Sequence, residues 1–494
     1  MKNVLEYLEN VKTNNLVIDK NGSINYQELK KMSKRIGSGL AKFVKNNDPV
    51  PIYMEKGISA LEVFMGALYA GGFYSLLNVG LPKMRLLQIV NVLDVDYIIT
   101  DNEHLEDAKI YFADKKIILY EDLIKEEINE KLLEDIRSKK VDLDPVYANF
   151  TSGSTGVPKG VIVGNRSIID FVDNFVDTFG IDETDVIANQ APFDFDVSVK
   201  DIYPALKTGA TLVIVPKELF TQPAALIDFL VDHKVTTMTW AVSALCLIST
   251  FHGLDYKVPS TVKRVMFSGE VMPMKHLKLW MDHLTKAMFV NLYGPTEITC
   301  NCTYHIIDRN REYEKIPVGK PFNNECVFLL NDNNELVTKD NVSGEICVRG
   351  TALALGYYKN KEQTEKAFVR NPLNDKYIEY IYRTGDLGYY VNGELYFGGR
   401  KDFQIKYMGH RIELEEIDKA IGSYDGVERV CSMFKEEKSK LYAFYIGSID
   451  TKELHEKLSK ELPVFMIPSK FIKIDEMPLS KNGKIDRKKL EELI

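Results

Sequence analysis

Residues 150–160 read Phe-Thr-Ser-Gly-Ser-Thr-Gly-Val-Pro-Lys-Gly and follow an apolar, strand-like stretch at 146–150. Gly153 and Gly156 let backbone amides turn inward, Thr151, Ser152, Ser154 and Thr155 add hydroxyl donors, and Lys159 adds a positive charge. Together these suit a polyphosphate. The spacing is not that of a P-loop, because no Gly-Lys-Ser/Thr closes it at the required distance, which argues against a conventional NTPase. A flexible surface loop has a similar composition, but four later segments weigh against that reading. Residues 291–297 (Asn291, Leu292, Tyr293, Gly294, Pro295, Thr296, Glu297) combine an aromatic face, a tight turn, a hydroxyl and a carboxylate. That set could stack a purine, contact a phosphate and hold Mg²⁺. Residues 382–386 place Asp386 after a turn, where its carboxylate can accept hydrogen bonds from ribose hydroxyls. Residues 399–406 carry Arg400 and Asp402, and residues 478–487 set Lys484 on a glycine-containing turn. Cys300 and Cys302 are a close pair, but His305 alone beside them falls short of a zinc or redox site.

The elements that must position these groups fall into three kinds. Apolar runs at 212–215 and 265–267 read as buried strands, with a helical pattern around 226–231 between them. Strand, helix, strand of this kind predicts parallel α/β layers. Over 318–358 and 377–397 short strands such as 345–349 and 394–397 alternate with Gly and Asn turns, as in a smaller β-rich unit. Past Arg400 the pattern predicts a Glu-rich amphipathic helix over 412–421, strands at 427–434 and 440–446, and a helix from Thr451. The expected fold is therefore α/β: a large N-terminal domain of layered α/β subdomains plus a β-rich subdomain, then a small α+β C-terminal domain. The junction is expected near residues 401–402, giving domains 1–400 and 401–494.

With these five segments in order, the sequence resembles the adenylate-forming superfamily of acyl-CoA synthetases, luciferases and nonribosomal-peptide adenylation domains. Within it the chain is most similar to the amino-acid-activating branch and to stand-alone D-alanine–carrier-protein ligases. Residues 191–204, which include Asp194 and Asp196, carry much of that likeness. The resemblance implies that a carboxylate attacks the α-phosphate of ATP, and that a thiol then takes the acyl group from AMP. It implies that residues 151–156 and Lys159 hold the phosphates and that Glu297 binds Mg²⁺. Residues 291–296 would line the nucleotide pocket with Tyr293 against the adenine, Phe397 would join them, and Asp386 and Arg400 would bind the ribose. Lys484 would bridge the acyl carboxylate and the α-phosphate as the catalytic residue. The C-terminal domain would be mobile, with Asp402 at its hinge and Gly409 leaving the thiol's approach clear; a turn glycine needed only for its backbone angle is the other reading of Gly409.

The resemblance also implies that Asp196 pairs with the ammonium of an amino acid substrate, since a buried carboxylate needs a partner. In a helix, Lys200 would sit four residues on and could pair with Asp196 instead. The remaining pocket positions come from the resemblance alone: Val197, Lys200, Thr239, Met266, Ser268, Leu292, Cys300 and Asn301, with Lys484. Most are small or polar, which points to a small or polar amino acid. Lys200 is unusual in such a wall; it could neutralise an acidic side chain or point to solvent. D-alanine ligases typically carry a cysteine where Ser268 stands and an apolar residue where Lys200 stands, which puts D-alanine itself in doubt.

The bulk properties agree with an enzyme of this kind. The chain has 494 residues, 45% hydrophobic and 27% charged, with a net charge of −8. That gives no reason to expect a nucleic-acid surface. No apolar window is long enough to cross a bilayer, and Glu6 and Glu9 interrupt any signal-peptide pattern, so a cytoplasmic location is expected. Six scattered cysteines are not a secreted disulfide framework. No carrier domain follows the Lys484 segment, so the expected acceptor is a separate phosphopantetheinylated carrier protein, with coenzyme A as the competitor. An acyl- or aryl-CoA ligase and a nucleotide-binding protein without turnover are the alternative functions; Asp196 argues against the first and the intact Lys484, Glu297, Asp386 and Arg400 against the second.

Overall fold

The computed structural model describes residues 3–153, 156–479 and 485–494. Ser154, Thr155 and Lys484, all expected site residues, lie outside the described residues. The chain forms two compact units, one of Met1–Asn78, Val95–Asn149 and Val161–Lys401, the other of Val79–Asp94, Phe150–Gly160 and Asp402–Ile494.

In the first unit a nine-stranded sheet has at its centre the parallel strands Met288–Tyr293, Arg264–Ser268, Thr237–Ala241, Val186–Asn189 and Thr211–Ile214, side by side in that order. Their sequences are near-continuous apolar runs because helices cover both faces. Alternation along each strand sorts side chains to opposite faces. Register pairs Thr239 with Met266, Met266 with Val290 and Ser268 with Leu292, so these five share one face. Met266, Val290 and Leu292 pack there with Val199, Ile202, Tyr203 and Leu206 of the helix Val199–Thr208. Trp240, Phe267 and Phe289 pack in a separate cluster with Leu245, Leu277 and Trp280. The helical pattern near 226–231 is realised as Pro223–Asp232, with the proline at its first turn, where a missing N–H costs nothing.

A seven-stranded sheet contains Pro145–Thr151 beside Lys159–Gly164, the strands that flank the glycine- and hydroxyl-rich run. A third sheet is antiparallel, with Gly344–Gly350 pairing the long strand Tyr380–Val391, which also pairs Glu394–Arg400. Asp386 was expected after a turn. It lies instead inside Tyr380–Val391, just ahead of a register shift between Leu387 and Gly388. The shift is a β-bulge, which re-aims side chains without ending the strand.

In the second unit Val427–Lys435 and Lys440–Gly447 pair antiparallel, Lys470–Lys473 joins parallel to the latter, and the helices Leu414–Gly422 and Thr451–Glu461 contribute to one apolar core. The helix expected over 412–421 begins only at Leu414, because Ile412 is taken by the strand His410–Glu413, which pairs with Gln404–Tyr407. Met408 and Gly409 join those strands with φ of 53° and 79°. Two successive positive φ values mark the primed hairpin turn, and glycine at the second position meets it without strain.

Candidate active site

Asp386 anchors one group of expected nucleotide-binding residues. Its carboxylate, 2% exposed, accepts a hydrogen bond from Tyr293 Oη at 2.6 Å and pairs with the Arg400 guanidinium. The Thr384 hydroxyl accepts from the Asp386 amide at 3.0 Å and donates to the Ile346 carbonyl at 2.8 Å, fixing the strand beneath it. Each bond to such a charged group contributes about 1.5–3 kcal/mol. Burial, with Asp386 alongside, pushes the Tyr293 hydroxyl well above its usual range, so it remains a donor. The expected position of Tyr293 against an adenine is thus accompanied by a firm tether at the ring's polar end.

Glu297 lies one turn beyond, in the short 3-10 helix Thr296–Ile298, with no exposed surface. Its Oε1 accepts from Tyr357 Oη at 2.6 Å. Gly294 sits so close to Cys300–Cys302 that a Cβ would lie 2.5 Å from Asn301 Cα and 2.8 Å from the Cys300 carbonyl oxygen. Only glycine permits that approach, and it folds residues 300–301 back beside the 291–297 segment. Asn291 spends its side-chain amide on the Pro317 carbonyl at 2.8 Å. Phe397 is half-buried on Glu394–Arg400, packed beside Tyr293, Ile298 and Tyr382.

A second group gathers between the helix Val199–Thr208 and the sheet face described above. Asp196 opens a 3-10 turn, Asp196–Ser198, that runs into this helix. The Asp196 carbonyl accepts from Cys300 Sγ at 2.7 Å. Burial, with Asp196 alongside, pushes the Cys300 thiol well above its usual range, which favours its protonated form. Lys200 does not point to solvent: it is 1% exposed, and its Nζ donates to Ser268 Oγ at 3.0 Å and Asn301 Oδ1 at 2.7 Å. Thr239, Met266 and Leu292 line the same sheet face, while Val197 is half-buried in the turn. Sequence reasoning missed Tyr147, whose hydroxyl is buried without a hydrogen-bond partner and lies near Asp196 and Cys300. It sits in an ordinary apolar strand, so nothing in the sequence marks it.

The phosphate-type loop belongs to the second unit. Gly153 N–H donates to Glu416 Oε2 at 3.1 Å, and Glu416 Oε1 meets Arg85 at 2.6 Å in a buried pair. Ser152 Oγ donates to the Arg411 carbonyl at 2.8 Å and accepts from the Glu413 amide at 3.2 Å. The Lys159 ammonium lies 3.7 Å from Glu413. Two donors expected to take phosphate therefore already face carboxylate oxygens, which suits a set built for anions. Thr151 Oγ1 approaches the Lys159 carbonyl at 3.5 Å, and the Gly156 amide donates to Gly153 O at 2.7 Å. Asp402 is exposed and accepts from the Gln404 amide at 3.2 Å. The partners Glu413, Glu416 and Arg85 were missed; the Glu-rich character of 412–421 was the available signal.

Comparison with known proteins adds to this geometry. The chain is 32% identical over 493 residues to the D-alanine--D-alanyl carrier protein ligase of Bacillus licheniformis, covering 96% of this chain and 95% of that one. It is also 32% identical over 478 residues to tyrocidine synthase 3 of Brevibacillus parabrevis, spanning 95% of this chain but 7% of that protein. Among solved structures, the Vibrio cholerae adenylation domain AlmE in complex with glycyl-adenosine-5'-phosphate superposes with a TM-score of 0.84 at 21% identity, over 99% of this chain and 96% of that one. At that identity the likeness speaks for the fold. The profile described as AMP-binding enzyme matches residues 8–358. The chain belongs to the AMP-binding enzyme family.

Proposed function

We propose that this enzyme uses ATP to activate a small or polar amino acid as its aminoacyl-AMP and transfers the aminoacyl group to the phosphopantetheine thiol of a separate carrier protein. The observation that carries the reading is the match to a carrier protein ligase over nearly the whole of both chains. In the first step an oxygen of the amino acid carboxylate attacks the α-phosphorus of ATP, and pyrophosphate leaves. In the second the sulfur attacks the acyl carbon, AMP leaves, and the thiol proton passes to solvent. Little covalent chemistry falls to the protein, so positioning and charge stabilisation dominate.

Asp386 and Arg400 would hold the ribose, with Tyr293 and Phe397 against the base. Gly153, Lys159 and their neighbours would hold the phosphates after exchanging their carboxylate partners for phosphate oxygens. Mg²⁺ is held through one or two carboxylates, with phosphate and water completing its shell. Glu297, a single buried carboxylate steadied by Tyr357, fits that requirement and would be its protein ligand. When bound, the ion would neutralise charge on the phosphates. Asp196 would take the substrate ammonium, Lys484 would steady the reacting carboxylate and α-phosphate, and Gly409 would leave the thiol's path open. The family assignment supports an ATP-dependent ligase.

The test is ATP–pyrophosphate exchange with purified enzyme against amino acids of both chiralities and against amine-free acids. Loading of a phosphopantetheinylated carrier is compared with loading of coenzyme A by mass spectrometry. Amino-acid-dependent exchange with carrier loading is the expected result. Exchange driven only by amine-free acids would establish an acyl-CoA ligase instead.

A further inference from the structure

We propose that Lys56 is a positioning residue for the first step: its ammonium gathers the loop at 189–195 and so sets where Asp196 meets the ammonium of the amino acid. This rests on the amino-acid-adenylating reading above and adds to it a residue that acts through a loop, from a different sheet.

The first observation is that two sheets converge on this loop. In the seven-stranded sheet Pro49–Tyr53 and Phe73–Leu76 run parallel, and Lys56 and Asn78 lie just beyond their ends. Val186–Asn189, of the nine-stranded sheet, ends where these two side chains arrive. Lys56 Nζ donates to the Gln190 carbonyl at 2.9 Å and to Asn189 Oδ1 at 3.2 Å, with the Asn189 and Ala191 carbonyls at 3.5 Å. Asn78 Nδ2 donates to Asp194 Oδ1 at 3.1 Å. The stretch from Asn189 to Asp194 is therefore tied at both ends to the other sheet. Asp196 follows at once, opening the turn Asp196–Ser198.

The second observation is that both partners of the tie are themselves held. Glu55 pairs with Lys20 at 2.7 Å and Lys217 at 2.6 Å, and the Ile58 amide donates to Asp19 Oδ2 at 2.8 Å at the start of the helix Ile58–Tyr69. These contacts fix the backbone on either side of Lys56. Asn189 has no exposed surface and spends its Nδ2 on Asp201 at 2.9 Å, which turns its Oδ1 toward the lysine. An ammonium has three donors, fewer than the four oxygens around it, so its charge holds the group together as much as any one bond does.

That charge is sensitive to pH. Asp201, Glu218 and Asp194 face the ammonium and favour its charged form, but burial outweighs them and pushes it down to about 8. An ordinary lysine keeps its proton well above that range. A neutral amine donates more weakly than an ammonium, so the loop and Asp196 are held less firmly once Lys56 loses its proton.

The test is pyrophosphate exchange by the full-length enzyme, using the amino acid of either chirality that supports the fastest exchange. The KM for the amino acid is measured separately from that for ATP. Lys56→Met is expected to raise the amino acid KM about tenfold, the effect of losing one hydrogen bond from a charged donor, and to leave the ATP KM unchanged. The wild-type amino acid KM is expected to rise between about pH 7 and about pH 9. In Lys56→Arg, whose guanidinium stays charged throughout, the KM is expected to stay near the wild-type value at the lower pH. Its rise is expected to shrink to what the substrate's own ammonium contributes. A wild-type KM that is flat across that range would overturn the proposal, as would a Lys56→Arg profile that follows the wild type. An equal rise in both KM values in Lys56→Met would overturn it too, by showing a general structural role. Should Lys56→Met fail to fold, the two pH profiles decide the matter. Each of these results leaves the amino-acid reading standing, whereas wild-type exchange with no amino acid would overturn that reading and the role of Lys56 with it.

Discussion

Asp201 has no exposed surface and faces two ammonium groups, those of Lys56 and Lys200, which favour its charged form. Burial nevertheless wins, and the carboxyl is pushed up to about 7. Its neighbour Asp194, beside Asn78 at 3.1 Å and under the field of Lys56, is pushed up by burial to about 6. The folded chain thus keeps protons on these groups that an unfolded chain, with carboxylates near pH 4, gives up. A raised folded-state value contributes stability that is fully present below the unfolded value and is lost as pH rises through the folded one. For Asp201 that window runs from about pH 4 to about pH 7. Asp201→Asn keeps the acceptor for Asn189 and removes the titration. Its stability relative to wild type is expected to rise across that window and to level above it, measured as urea midpoints at several pH values. A difference independent of pH would show that Asp201 is ionised throughout. At this scale the sequence makes Asp196 and Lys200 visible as charges four residues apart but leaves the direction of Lys200 open. The partners that turn it inward lie 68 and 101 residues away, and their approach depends on sheet register rather than on local pattern.

The helix Leu414–Gly422 shows how a two-residue shift in a boundary changes what an element does. Amphipathic periodicity over 412–421 is real, but Ile412 and Glu413 are drawn into the hairpin by backbone pairing with Ile405 and Gln404. Periodicity alone does not distinguish the last strand residues from the first helical turn, since both bury Ile412 and Leu414. With the helix starting at Leu414, Glu416 falls in its first turn and reaches both Arg85 and the Gly153 amide. The Arg85 and Glu416 side chains are 6% and 2% exposed, so the pair is desolvated. Removing one partner of such a pair costs about 3–5 kcal/mol, whereas replacing both with apolar residues of similar volume is often neutral. Glu416→Ala is therefore expected to lose about 3–5 kcal/mol in urea unfolding, and Arg85→Met with Glu416→Leu to recover most of that. If the single and double variants were equally destabilised, the ion pair would not be what fixes this loop. The recovered double variant also leaves the Gly153 amide without its carboxylate, so a lower KM for ATP is expected if that amide serves phosphate.

Across the whole molecule, the family was legible because its motifs gather hydroxyls, glycines, an aromatic and carboxylates close together in sequence. The layered α/β character was legible from apolar runs, and the β-rich part from its Gly and Asn turns. The strand order was not, since Thr211–Ile214 lies outside Val186–Asn189 rather than between it and Thr237–Ala241, and no local signal encodes that. Nor did composition suggest that 79–94 and 150–160 pack with the C-terminal stretch as one compact unit. Lys484 is the most consequential residue named from sequence alone, and chemistry gives it a test that needs no coordinates. In the proposed first step negative charge gathers between the amino acid carboxylate and the α-phosphate, where an ammonium stabilises the transition state more than the ground state. The second step forms a thioester and releases AMP, with no new charge at the entering carboxylate. Lys484→Ala is therefore expected to lower amino-acid-dependent pyrophosphate exchange on the order of 10²–10³-fold, the effect of deleting one preorganised donor. Thiol transfer from preformed aminoacyl-AMP should proceed near the wild-type rate, followed by single-turnover loading of the carrier. Equal loss of both steps would mean that Lys484 supports the enzyme's architecture and does not act on the adenylation transition state.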